Sequence, residues 1–154
     1  MLKLKTKDYG TLEYEKEDLI HFSDGLFGFQ ELHDYLPLSL DAAEDNPILI
    51  LQSVENPYIA FVVIDPFSLD PDYRPEVSPE ELSYLGADGS DKLTFYVICV
   101  LRDNYLESTV NMKCPLVMNP ATRQAMQVIL SGGQYQYRHP LGSFGILSGA
   151  HESC

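Results

Sequence analysis

Residues 46–73, NPILILQSVENPYIAFVVIDPFSLDPDY, hold the densest apolar content of the chain between two sharp turns. Ile48 to Ser53 is a short, nearly continuous apolar run, Val54 to Pro57 carries the turn chemistry of Asn and Pro, and Tyr58 to Ile64 is rich in β-branched and aromatic residues. Each run is too short for a typical helix, so the stretch predicts a hairpin buried on both faces, although periodicity by itself leaves a core helix open. Pro66, Pro71 and Pro75, interleaved with Asp65, Asp70 and Asp72, follow as a loop that cannot be central sheet, because proline donates nothing to a ladder.

Outward from this hairpin the same short-strand grammar repeats. Leu2–Thr6 and Leu12–Tyr14 alternate apolar and polar around Asp8-Tyr9-Gly10 and predict an opening hairpin. Glu17–Phe22 reads as a third strand, SDGLFGF as a tight loop on Gly25 and Gly28, and Leu36, Leu38 and Leu40 as an alternating strand closed by DAAED. Ser78-Pro79-Glu80-Glu81 is a helix start, with serine as cap, proline at the first position and acid near the positive end; Gly86 ends that helix within about two turns. Leu93–Leu101 is a core strand, and Glu107–Met112 and Cys114–Met118 are two more, bent near Lys113-Cys114-Pro115. Ala121–Leu130 reads as a helical turn leading into a strand, and QYQYRH (134–139) alternates cleanly as a last one. Nine or ten short strands with at most two short helices give an all-β class, a small sandwich or barrel-like domain. No linker divides residues 1–154, so a single domain is expected, with the residues from Gly142 onward, rich in Gly and Ser, fraying.

Composition narrows the function. The chain has 154 residues, with 23 acids against 10 bases and a net charge of −13. Seventeen of the acids lie between Glu17 and Asp91, where Arg74 is the single base. Such a field repels nucleic acid, because phosphate binding requires Lys and Arg. It suits either plain solubility or docking of a basic protein. Three widely spaced cysteines (Cys99, Cys114, Cys154) fit no disulfide framework and no zinc motif, which favours a reducing compartment. MLKLKTKDYG builds no signal-peptide apolar run and no stretch approaches membrane-spanning length, so a cytoplasmic protein without membrane contact is expected.

Recognisable chemistry is sparse. His21, His33, His139 and His151 have no metal-ligand spacing, Cys99 sits in an apolar strand as a core residue, and no GxSxG elbow is present. Gly25 and Gly28 form neither GxGxxG nor GxxxxGK[ST]. The remaining enzymatic or small-ligand reading places a divalent cation, or paired carboxylates, on Asp65, Asp70, Asp72 and Glu76. Against it stands recognition of protein: edge strands, a Pro-rich loop and ten tyrosines are materials of a peptide-binding module.

Four segments already quoted in part carry a family resemblance. IHFSDGLFGF (20–29), LQSVENPYIAFVVIDP (51–66) with DPDY (70–73), STVNMKCPLVMN (108–119) and QVILSGGQYQYRHPL (127–141) closely resemble, in order, the FliW family of flagellar assembly factors. Phe27 stands where that family commonly has proline, Cys114 where alanine is usual, and the tail after Leu141 lies outside the pattern. The resemblance implies a non-enzymatic, β-barrel-like protein without a cofactor, expected as a monomer, with two protein partners. One is flagellin; the other is the translational repressor CsrA, whose repression of flagellin synthesis the family relieves while free flagellin competes. A cytoplasmic chaperone for flagellin alone is the alternative. Turn chemistry within the resembling segments nominates as contact residues Asn56, Pro57 and Tyr58, Asp65, Asp70 and Tyr73, and Asn111 with Asn119 at the two ends of one bend.

Overall fold

The computed structural model describes residues 2–7, 9–39, 47–131 and 133–143. Eleven strands, β1 (Leu2–Lys5), β2 (Thr11–Tyr14), β3 (Ile20–Phe22), β4 (Asp34–Leu38), β5 (Ile48–Ser53), β6 (Ala60–Ile64), β7 (Thr94–Val100), β8 (Thr109–Val110), β9 (Leu116–Asn119), β10 (Gln124–Gln127) and β11 (His139–Pro140), are joined by two short helices, α1 (Pro66–Leu69) and α2 (Pro79–Leu85). β1 and β2 form a ribbon of their own. The remaining nine lie in the order β11-β8-β7-β6-β5-β4-β3-β10-β9, and β9 returns to pair with β7, which closes a seven-stranded barrel.

Strand β7 makes that closure possible because it is long enough to serve two neighbours along one edge. Thr94, Phe95 and Tyr96 pair with Met118, Val117 and Leu116 of β9, whereas Cys99 and Val100 pair with Val110 and Thr109 of β8. The other junction is a parallel one, where Gln124 and Ala125 of β10 meet His21 and Phe22 of β3. The opening stretch of the sequence folds as expected into the β5–β6 hairpin, with Ile50 opposite Val62 and Leu51 opposite Phe61.

The seven barrel strands each send side chains to one cluster, including Phe22, Tyr35, Leu51, Val63, Leu116 and Ala125, which therefore fills the interior. A second cluster, with Leu85, Val97, Val110, Met112 and Val117, lies on the outer face of β6–β10 under α1, α2 and the 70–77 segment. The consecutive apolar residues of β6, β7 and β9 follow from this arrangement, since both faces of those strands are covered. Helix α2 is built as its sequence predicts: Ser78 Oγ accepts from the Glu81 amide, the Glu81 carboxylate accepts from the Ser78 amide, and Gly86 takes the left-handed conformation with φ +70°.

Several expectations need correction. Lys16–Asp18 is one turn of 3-10 helix instead of strand, because Glu15 and Asp18 cap each other there and the Arg123 guanidinium donates to the carbonyls of Asp18 and Leu19. The Pro-rich loop contains α1, with Asp65 Oδ1 accepting from the Phe67 amide as its cap. Residues 134–138 are irregular, with bends; among the described residues of this stretch only His139 and Pro140 pair, with β8. The expected strand over 107–112 shrinks to Thr109–Val110. DAAED, Cys154 and the tail from residue 144 lie outside the described residues.

Candidate docking surface

The β5–β6 turn marks one end of the barrel, and the β3–β4 loop arrives at the same end. Within that loop Gly25 and Gly28 take φ +68° and +86°. Leu26 between them is buried and bridges to Phe29. Burial of Leu26 anchors the loop and turns its neighbours outward: Phe27 is 49% exposed, and Phe29 is exposed while its ring lies edge-on to Phe61 at 5.1 Å. The loop is fixed from the far side of the sequence, because the Phe27 amide donates to Gln127 Oε1 at 2.9 Å and Gln127 Nε2 donates to the Cys114 carbonyl at 3.2 Å.

Beneath Phe27 opens a cavity of about 410 Å³ whose wall includes Phe61, Ile98, Val100, Asn111, Tyr137 and Arg138. Val100 and Tyr137 are exposed on its wall, Leu101 is exposed next to Val100 in sequence, and Tyr58, at 72% exposure, stands on the hairpin turn of the same end. Exposed aromatic and aliphatic side chains gathered about a cavity are the usual centre of a protein interface. Side-chain hydrogen bonds hold the turn. Ser53 Oγ accepts from the amides of Glu55 and Asn56, Asn56 Oδ1 accepts from the Tyr58 amide, and buried Gln52 donates through Nε2 to the carbonyls of Ser53, Pro57 and Ile59. The Lys7 amide donates to the Pro57 carbonyl, which ties the β1–β2 ribbon to this turn. Beside it, His21 Nδ1 and Asp34 Oδ1 lie 2.8 Å apart, and Glu55 Oε1 accepts the amides of His33 and Asp34.

The eight nominated residues divide between places. Asn56, Pro57 and Tyr58 shape the turn just described, and Asn111 lines the cavity, with its Oδ1 accepting from the Cys114 amide. Asp65 and Asp70 lie beyond the opposite end of β6, about 15 Å away at 3.3 Å per residue, and each carboxylate accepts a backbone amide two residues on. Tyr73 and Asn119 are interior, at 1% and 4% exposure. The Tyr73 ring packs edge-on to Tyr135 and its hydroxyl donates to the Met112 carbonyl; burial, with Tyr135 beside it, pushes its ionisation well above the ordinary tyrosine range. Asn119 Nδ2 donates to the Leu85 carbonyl and its Oδ1 accepts from Ala121, so it ends α2 against the barrel. Neither residue presents its side chain to solvent.

Conversely, turn chemistry passed over Phe27, Phe29, Val100, Leu101 and Tyr137. For Phe27 and Phe29 the signal is the LFGF pattern itself, two phenylalanines in a glycine loop where a solvated loop would be polar; Val100, Leu101 and Tyr137 carry no such local signal. Among the described residues no three His, Cys, Asp or Glu side chains converge as metal ligands, and no helix is long and apolar enough to cross a membrane. The thiols of Cys99 and Cys114 are buried, and burial pushes both up in pKa, partly offset at Cys114 by its hydrogen bond with Asn111.

Comparison with known proteins is consistent along the whole fold. The sequence model of the family described as FliW protein matches residues 3–141. The flagellar assembly factor FliW of Caldanaerobacter subterraneus subsp. tengcongensis is 39% identical over 140 residues, covering 91% of this chain and 93% of that protein. Those of Thermoanaerobacter pseudethanolicus and Geobacillus kaustophilus are each 36% identical over the same length, covering 93% and 95% of their own chains. A crystal structure of the flagellar assembly factor FliW superposes with a TM-score of 0.82 at 34% identity, covering 90% of this chain and 96% of that one. A closed seven-stranded barrel carrying this sequence pattern over nine-tenths of its length belongs to the FliW family of flagellar assembly factors.

Proposed function

We propose that this chain acts in the cytoplasm as a non-enzymatic regulator that binds flagellin and the translational repressor CsrA, and relieves CsrA repression of flagellin synthesis. The observation that carries the protein-binding reading is the apolar rim of Phe27, Phe29, Val100 and Tyr137 about the 410 Å³ cavity. Covering that rim with a partner removes apolar surface from water, the main driving force of association. Asn56, Pro57, Tyr58 and Asn111 belong to the same end and remain proposed contacts; Asp65 and Asp70 belong to the other end.

The charge supplies a mechanism for antagonism. A chain of net −13 docked on a basic RNA-binding protein opposes the approach of RNA even where the RNA-contacting residues stay uncovered. Its reach is about 8 Å at physiological salt, so only acids close to the docked edge contribute.

Competition tests the reading: immobilised CsrA is loaded with this protein and flagellin is titrated in. Release of the protein by flagellin, and loss of binding to at least one partner on Phe27→Ser with an unchanged far-ultraviolet spectrum, are expected. Binding to flagellin with none to CsrA would leave a chaperone for flagellin only, and full binding of both partners by folded Phe27→Ser would remove the rim from the interface.

A further inference from the structure

The opposite end of the barrel carries a second recessed surface. A cavity of about 400 Å³, bounded by Leu49, Asp65 and Tyr96, and one of about 370 Å³, bounded by Arg74, Glu76 and Asp91, share a wall made of Phe67 and Phe95. Phe67 is the exposed member of that wall, at 38%, and it is held in place from three sides. Its amide donates to Asp65, and its ring lies edge-on to Phe95 at 5.9 Å and to Tyr73 at 5.8 Å. A helix-borne phenylalanine is thus fixed half in solvent between two hollows, although the second core cluster lies directly beneath it.

The rim of these hollows is mainly acidic. Asp65, Glu76 and Asp91 line them with one base, Arg74, and in sequence Asp70 and Asp72 lie beside this set on one side and Lys92 on the other. Burial first, and then the Asp65 carboxylate, raise the pKa of the Tyr96 hydroxyl, with Arg123 acting the other way.

We propose that this end is a second docking groove, whose occupant is a protein segment bearing a large apolar side chain flanked by lysine or arginine. The apolar side chain fills the hollow beside Phe67, and the basic flanks meet Glu76 and Asp91. Opposite charges on a rim steer encounter and fix register, while the apolar centre supplies affinity. An acidic segment is repelled, and a purely apolar ligand leaves the carboxylates unused. The groove lies at the other end from the Phe27 rim, so failure here leaves the reading of that rim standing.

The test is nuclear magnetic resonance titration of the full chain with acetyl-Lys-Arg-Leu-Lys-Arg-amide and, separately, acetyl-Glu-Glu-Leu-Glu-Glu-amide. The basic peptide is expected to shift amides within 65–76 and 91–96, and the acidic one to shift none. Glu76→Gln with Asp91→Asn, two exposed positions that keep the fold, should weaken binding about tenfold, and raising salt from 50 to 500 mM should weaken it in the same direction. Phe67→Ala should abolish it with the rest of the spectrum retained. The proposal is overturned by the absence of binding, by equal binding of both peptides, by shifts scattered over the acidic surface, or by indifference to the double substitution. A concentration-dependent dimer lost on Phe67→Ala, with no amide shifts on adding the basic peptide, would also overturn it, assigning the groove to contact between two copies of this chain.

Discussion

The hydroxyl of Tyr73 donates to the carbonyl of Met112 at 2.6 Å, across 39 residues of sequence and at a point where both residues are fully buried. That bond ties the segment after α1 to the strand-poor stretch between β8 and β9. It also explains why a tyrosine in an acidic, proline-rich sequence is interior: its hydroxyl reaches the buried Met112 carbonyl.

Tyr73→Phe removes the donor and leaves the Met112 carbonyl buried without it, at a cost of about 1–3 kcal/mol. Urea denaturation should show a lower midpoint with an unchanged slope, and binding of both proposed partners should persist. Loss of partner binding at unchanged stability would return Tyr73 to the interface.

Tyr35 gives the opposite expectation. Its ring packs in the barrel interior against Phe22 and Phe61, and its hydroxyl is buried with no hydrogen-bond partner among the described residues. Burial, followed by the Glu55 carboxylate, pushes its pKa up from 10.0 to about 12. Tyr35→Phe should therefore leave stability unchanged or raise it by up to about 1 kcal/mol. The sign with pH follows from a folded pKa above the unfolded one: the contribution is intact below pH 10 and lost as pH rises towards 12. Alkaline melting curves should fall less steeply over that window in the variant.

Gly25 is the hinge of the Phe27 loop. A Cβ there would stand 2.6 Å from the Gln30 Cα and 2.7 Å from the Phe29 carbonyl oxygen, both backbone atoms, at φ +68°. Gly25→Ala should cost about 2–4 kcal/mol and displace Phe27 and Phe29, weakening partner binding along with stability. Gly28→Ala, whose Cβ would meet nothing within 4 Å, should cost only about 1 kcal/mol from its φ of +86°. Equal melting temperatures for the two variants would refute the assignment.

His139 Nε2 accepts the Gln136 amide at 2.8 Å, which requires that nitrogen to be unprotonated, and burial lowers the ring's pKa below 6.5. A folded pKa below the unfolded one means stability that is present above pH 6.5 and lost as pH falls. Hydrogen exchange at β11 and in the 134–138 segment should accelerate below that pH, and His139→Gln should flatten the dependence.

How much of this could be read beforehand depended on the range of the interactions. Ser78, Glu81 and Gly86 specify α2 within nine residues, and the β5–β6 hairpin is specified by its own turn, so both were legible. Asp65-Pro66 is the same cap-and-proline signal as Ser78-Pro79, and it marks α1, but the surrounding prolines and aspartates masked it. The alternation of QYQYRH misled because Tyr135 is taken up by Tyr73 and by the Arg74 amide, which bonds its hydroxyl, and not by a neighbouring strand. Nothing local indicates that β7 is shared by β8 and β9, or that β10 meets β3 in parallel. The candidate rim was hidden for a related reason: Phe27, Val100 and Tyr137 come from three distant segments and meet only once the barrel has closed.

The parallel junction of β3 with β10 fixes when that closure can occur during synthesis. Strands β3 to β6 leave the ribosome first, yet the ring has no second edge to seal against until Gln127 has followed. The intervening stretch of some 60 residues takes roughly 3–12 s to translate at about 5–20 residues per second. Throughout that interval Tyr35, Leu51 and Val63 face an unfinished interior. Nascent chains of this protein should thus be vulnerable for seconds, and a holdase that recognises open β-sheet would have its opportunity then, before the last strand arrives.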